Sequence, residues 1–349
     1  MTTSVLPTTA VPLSVLDLSP VSSGSTSRRA LQDSVALARL AEELGFRRYW
    51  VAEHHGMPGI ASSAPAVLIG AAAAATGRIR VGSGGVMLPN HAPLVVAEQF
   101  GMLEALYPGR VDLGLGRAPG TDQRTAAALR RPADVEDFPQ ELQLLRAFFD
   151  GRVEGIHAAP AQGNAPDVWL LGSSGYSAQV AGLLGLPFAF AHHFSGHNTL
   201  PALELYRLGF RPSERLDAPY AMVCASALCA PTDAEAVELA WPGALSFVQL
   251  RSGRPGLLPS QQETADYAWT PAERRFAEDR IAGQVVGGPS TVRSGLQELQ
   301  EVTGADELMI TTSTHDPSHR TRSYRLLAQA AGAGDPLVLP ASEQALRRA

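Results

Sequence analysis

The sequence predicts an α/β fold, a (β/α)8 TIM barrel with an insertion between its last two strands, forming a single domain over residues 1–349. Three observations predict it. Strand-like runs alternate with helical patterns until eight strands have been counted. Several of those runs are continuously apolar, as parallel strands covered on both faces must be, and no linker or low-complexity stretch divides the chain. A doubly wound open sheet is the alternative, but its dinucleotide fingerprint is missing. GLGRAPG, Gly114 to Gly120, has the wrong glycine spacing, and Pro119 breaks the helix that should open there.

PLSVLDLS supplies the first strand, ending near Asp17 and Ser19, and a serine-rich turn leads into a helix from about Ser27. Leu31, Val35, Leu37, Leu40, Ala41 and Leu44 recur there at helical spacing, and Gly45 stands where a helix terminates. RRYWVAEHH is the second strand; a helix over Ala64 to Ala75 and the strand RIRVGSGGVMLP follow. The helix from Pro93 to Leu106 opens on proline, which is tolerated in the first turn, and RVDLGLGR is the fourth strand. Beyond a polar stretch come a helix over about Glu136 to Phe149, the strand VWLLGSS, a helix over Tyr176 to Leu184, the strand PFAFAHHF and a helix over Asn198 to Phe210. YAMVCASALCA, a helix from Asp233, an irregular insertion at 251–289, a helix from Ser290 and the strand ELMITTST complete the series. The insertion reads as a mobile flap over the barrel mouth.

Composition narrows the function classes. A net charge of -6 with scattered Lys and Arg offers no footprint for nucleic acid, and the apolar run Ala64 to Ala75 is too short to cross a membrane. The expected location is cytoplasmic. Cys224 and Cys229 share one strand at odd separation, which sends them to opposite faces as buried thiols.

Barrels bind ligands at the C-terminal ends of their strands, and that is where the histidines collect. His54, His55, His91, His192, His193, His197, His315 and His319 fall at or after strand ends, and His157 does not. The run Glu53, His54, His55 is open to three readings: core packing, a metal site with His192 and Asp17, or acid-base work beside an organic cofactor. LLGSSGYSAQV turns from strand into helix through Ser173, Ser174 and Ser177, a pattern for cradling phosphate or for plain N-capping. Arg117 at the neighbouring strand end adds a permanent charge. Gly84 and Gly85 interrupt a strong strand, which calls for a bulge or for close approach of the backbone to a ligand.

Taken in order, VLDLSP, YWVAEHHGMP, VGSGGVMLPNHAPLVVAEQF, LYPGRVDLGLGRAPG, LLGSSGYSAQVAGLLGLPFAFAHHF and ADELMITTS closely resemble the bacterial luciferase-like flavin-dependent oxidoreductases, over roughly residues 11 to 330. The chain is similar to the non-luminescent, single-subunit members. The resemblance implies FMN as cofactor, its phosphate on Arg117, Ser174 and Ser177 and on amides near Gly175 and Tyr176, with Ser173 also among the cofactor contacts. It further implies a cis peptide at Gly84-Gly85 under the flavin ring, His192 against the flavin, and Asp17 among the cofactor contacts. His54 matches the catalytic histidine, flanked by Glu53 and His55. The implied reaction is two-component monooxygenation: reduced FMN from a separate flavin reductase, dioxygen, and a small organic substrate. A homodimer through the Ala64 to Ala75 helix is also implied. Deazaflavin-dependent hydride transfer, a non-catalytic flavin-binding protein and a metal-dependent hydrolase are the competing readings.

Overall fold

A computed structural model describes residues 11–130 and 137–332, and the helix start expected at Glu136 lies outside them. The first half runs β1 (Leu13–Asp17), α1 (Ser27–Glu43), β2 (Arg48–Val51), α2 (Pro65–Ala74), β3 (Arg80–Met87), α3 (Pro93–Leu106), β4 (Val111–Gly116), α4 (Gln123–Ala128) and α5 (Phe138–Phe149). It continues with β5 (Asp167–Gly172), α6 (Gly175–Leu183), β6 (Phe188–Phe190), α7 (His192–Ser195), α8 (Thr199–Gly209), β7 (Ala221–Cys229) and α9 (Asp233–Arg251). The last elements are α10 (Gln261–Ala265), α11 (Pro271–Ala282), β8 (Val285–Gly287), α12 (Pro289–Thr303), β9 (Glu307–Thr311) and α13 (Pro317–Ala331).

Strands β1 to β7 and β9 close into an eight-stranded barrel in the order β6-β5-β4-β3-β2-β1-β9-β7, with β6 pairing β7 to seal it. Every pairing is parallel. Register fixes which side chains face inward. Leu16 pairs with Trp50 inside, whereas Val15 and Tyr49 point out under the helices, where the main apolar cluster lies. Cys224 and Cys229 occupy different clusters, as their odd separation requires, and both are free.

Ionic groups fill the N-terminal end of the barrel. Arg48 donates from Nε to both Glu307 oxygens at 3.1 Å and from Nη1 to Asp112 at 3.0–3.1 Å. Arg80 reaches Asp112 at 2.6 Å and Asp167 at 2.5 Å, Trp50 Nε1 donates to Asp112 at 2.8 Å, and the Tyr220 hydroxyl donates to Glu307 at 2.9 Å. Two residues further along their strands, Trp50 and Trp169 meet edge to face at 5.2 Å, and Trp169 meets Tyr220 at 5.6 Å. This aromatic layer separates the charged floor from the mouth.

The insertion departs from the expected irregular segment. Residues 261–265 and 271–282 are helices, each opened by a capping box, Ser260 with Glu263 and Thr270 with Glu273. Ala277 and Ile281 of α11 bury against Ala240, Ala244 and Val248 of α9. Strand β8 lengthens the sheet beside Ala227–Cys229. Backbone hydrogen bonds from Leu258 N to Val21 O (2.9 Å) and from Ser23 N to Leu258 O (2.8 Å) stitch the segment to the loop after β1. A groove of about 570 Å³ lies on the outer surface between α1 and α2, lined by Leu31, Val35, Val67, Leu68 and Ala71. Among the described residues no helix is long and apolar enough to cross a membrane.

Candidate active site at the barrel mouth

Strand β2 ends at Val51, and the next four residues build the first wall of the mouth. Alternation carries Glu53 and His55 to one side and His54 to the other. Glu53 is fully buried and accepts from the Met87 amide at 3.0 Å, Asn90 Nδ2 at 3.0 Å, His55 Nε2 at 2.9 Å and His91 Nε2 at 2.9 Å. A carboxylate only accepts, so both imidazoles carry their proton on Nε2. Burial alone would push the Glu53 carboxyl up; the bonds from His91, His55 and Asn90 outweigh it and hold it below the usual carboxylate range. Glu53, His55 and His91 are close enough to hold a metal ion. With four donors already on the carboxylate, however, the geometry is that of a hydrogen-bonded hub pinning the β2 loop to the end of β3. Asn90 and His91 belong to this hub; the sequence showed His91 at a strand end without linking it to Glu53.

His54 stands apart from that hub. Its Nδ1 is buried with no hydrogen-bond partner among the described residues, although its amide is held by Ser62 O at 3.0 Å. Burial lowers its pKa to about 4, with Glu53 opposing the shift and His55 adding to it, so the ring is neutral at pH 7. A buried ring nitrogen that the described residues leave over is one that a ligand can engage.

Opposite, β5 turns into α6 through Ser173 and Ser174. Ser174 occupies the N-cap position but makes no side-chain cap bond, which leaves the first amides of the helix available. Ser177 is buried one turn in, and Gly172 makes room for it: a Cβ on Gly172 would sit 2.6 Å from Ser177 Cβ. The Arg117 guanidinium stacks 4.1 Å from the Tyr176 ring centroid, which places a permanent cation beside the uncapped helix end. These residues fit a phosphate. No ordinary N-cap interaction competes for the site.

The peptide Gly84-Gly85 is cis, and the β3–β4 register shifts between Gly84 and Val86. Packing explains both glycines. A Cβ on Gly84 would lie 2.7 Å from Leu16 Cδ1, and one on Gly85 would lie 2.7 Å from Gly114 O. Between β6 and α8, His192 Nδ1 meets Thr199 Oγ1 at 2.8 Å, and burial lowers its pKa. His193, which was not among the expected site residues, donates from Nδ1 to the Cys224 carbonyl at 3.1 Å. Burial drives the His193 pKa down to about 4; that bond opposes the shift, and Arg280, His192 and His54 add to it. Arg280, His192 and His54 therefore all lie in the electrostatic neighbourhood of His193. Arg280 comes from the insertion; its sequence signal was the T-P-x-E capping pattern that opens α11.

Asp17 corrects the expected list. It points outward from β1, away from the barrel interior, where its carboxylate accepts from Arg320 Nη1 at 2.9 Å, the Tyr49 hydroxyl at 2.5 Å and the Ser19 amide at 2.8 Å. Burial would raise its pKa, but Arg320 and these donors lower it, so Asp17 fastens α13 and the β1 loop to the barrel wall. A strand-end carboxylate reads alike on either face when only the sequence is known.

Residues 11–307 match the luciferase-like monooxygenase family. A luciferase-like monooxygenase of Escherichia coli (strain K12) is 49% identical over 320 residues, 90% of this chain and 96% of that protein. An N-acetyl-S-alkylcysteine monooxygenase of Bacillus subtilis (strain 168) is 34% identical over 328 residues, 91% of this chain and 97% of that protein. The crystal structure of apo-MsnO8 superposes with a TM-score of 0.86 at 41% identity, covering 93% of this chain and 99% of that one. With its closed barrel, histidine-lined mouth and full-length match, the chain belongs to the luciferase-like monooxygenase family and is an enzyme of the flavin-dependent monooxygenase and oxidoreductase class.

Proposed function

We propose that the protein is the oxygenating component of a two-component system, taking reduced FMN from a separate flavin reductase and oxygenating a small organic substrate with dioxygen. The observation that carries this reading is the uncapped start of α6 beside Arg117, across the mouth from a neutral His54 with an idle Nδ1. When bound, FMN supplies the oxygen-activating chemistry. The chain's residues supply the rest. Arg117, Ser173, Ser174, Ser177 and the amides of Gly175 and Tyr176 hold the phosphate, and Gly84 and Gly85 form a side-chain-free platform for the ring. His192 borders the ring. His54 moves a proton at its unpartnered Nδ1, and Glu53, through His55 and His91, keeps the β2 loop from drifting. The insertion at 251–289 roofs the mouth and excludes water.

Equilibrium titration with FMN, riboflavin and a deazaflavin tests the cofactor. FMN is expected to bind about 100-fold or more tightly than riboflavin, because the phosphate makes several charge-assisted bonds. An Arg117→Ala variant should erase most of that difference. Tighter binding of the deazaflavin would move the reading to hydride transfer. Anaerobic mixing of protein and reduced FMN with dioxygen then tests oxygenase competence: re-oxidation with free-flavin kinetics and immediate peroxide release would defeat it.

The second copy in this proposal docks on α2, whose outward Val67 is 76% exposed beside the groove against α1. Val67→Glu should convert a dimer to a monomer in sedimentation equilibrium.

A further inference from the structure

We infer that Arg280 anchors an anionic group of the substrate, so that the enzyme acts on an amphipathic organic acid; this rests on the flavin reading above. Arg280 lies on α11 with its guanidinium carbon 3.5 Å from the centroid of the Phe247 ring. Its Nε is buried with no hydrogen-bond partner, and among the described residues no carboxylate pairs with it. Arg280 as a whole is half-buried, and a guanidinium partly withdrawn from water ordinarily meets a counter-charge, because desolvating an unpaired cation is costly. Here the described group in its electrostatic range is the neutral imidazole of His193. His193 Nδ1 is committed to the Cys224 carbonyl, so its Nε2 presents a lone pair and brings no negative charge. Burial with no compensating carboxylate also depresses the Arg280 pKa to about 10.

Because no described residue supplies the anion, it falls to a ligand. Two sources share that chemistry, the cofactor phosphate and a substrate carboxylate. The phosphate already has a cradle at Arg117 and α6, built from β4 and β5, whereas the Arg280, Phe247 and Phe194 cluster lies on the β6–β7 side, with His193 in electrostatic range of Arg280. The surroundings also suit an apolar body. Phe194, 63% exposed, meets Phe247 edge to face at 6.3 Å, and Phe247 stacks on Phe276 at 6.1 Å. A carboxylate on Arg280 would leave its apolar chain to this aromatic shelf.

The test titrates benzoate, 4-phenylbutyrate and N-acetylmethionine, each against its own carboxamide, into FMN-loaded and flavin-free protein, reading bound-flavin absorbance and heat of binding. At least one acid should bind roughly tenfold or more tightly than its amide, as expected for a charge-assisted bond. Arg280→Gln should abolish that preference, Arg280→Lys should keep part of it, and FMN affinity should be unchanged in both. Acids and amides binding alike in the parent, or no acid binding, overturns the inference. Loss of FMN affinity in Arg280→Gln with acid binding intact hands the guanidinium to the cofactor phosphate. Acid preference that persists in protein unable to bind FMN upholds Arg280 and defeats the flavin reading alone.

Discussion

Lowering the pH from 7 to 5 should destabilise the protein chiefly through His54 and His193, with His192 acting in the same direction, rather than through its carboxylates. His54 and His193 have folded pKa values of about 4 against 6.5 for the free side chain, in both cases mainly through burial. Because the folded value is the lower one, the unfolded chain takes up the proton first. Stability is complete above about pH 6.5 and falls as pH drops toward 4. At pH 5 the unfolded imidazole is almost wholly protonated and the folded one hardly at all, which by linkage amounts to about 2 kcal/mol per histidine. Both rings are partly exposed, so the pair together costs about 2–4 kcal/mol, a urea midpoint shift of roughly 1 M. Glu53 and Asp17 have lowered values, so their contribution persists above the ordinary carboxylate range and goes only in stronger acid. Urea unfolding at pH 5, 6, 7 and 8 for the parent, His54→Gln, His193→Gln and the double variant measures this directly. Each single change should remove about half of the slope. Equal pH dependence in the parent and the double variant would refute the assignment.

Arg48→Met leaves Asp112 and Glu307 buried without the guanidinium between them and should cost about 3–5 kcal/mol in chemical denaturation. Glu53→Gln keeps the volume but turns one acceptor toward a donor. A loss of about 2–4 kcal/mol is expected, and a neutral result would show that the hub of His55, His91 and Asn90 is dispensable. Gly114→Ala would place a Cβ 2.0 Å from Ser83 O and should cost about 3 kcal/mol by thermal unfolding, because two paired strands must part.

Most of the barrel was legible because periodicity is a strong signal where helices and buried strands alternate. The helix Pro93–Leu106 has the bounds read from the sequence, with its opening proline at the first turn. The insertion misled for a physical reason. Its helices are short and carry more charge than apolar face, and their helical state is secured by caps and by contact with α9. At the site, the strand-end positions of Glu53, His54, Arg117 and Ser174 were readable, because a barrel sends every strand end to one face. Sidedness was not. Asp17 turned outward to Arg320, and Glu53 turned from His54 toward His55 and His91, because these partners lie far apart in the chain. Arg280 is a long-range feature too: its ring partner Phe247 belongs to a different helix.

The layer of Trp50, Trp169 and Tyr220 has a consequence for how such a molecule diversifies. Below it, charges lock the strands together; above it, the mouth is made from loop residues and one inserted helix. Exchanging Phe194, Phe247 or Arg280 for other side chains leaves the salt links beneath intact, so a new substrate preference need not begin with a less stable ancestor. A laboratory library confined to those upper positions would explore chemistry on a foundation that stays fixed.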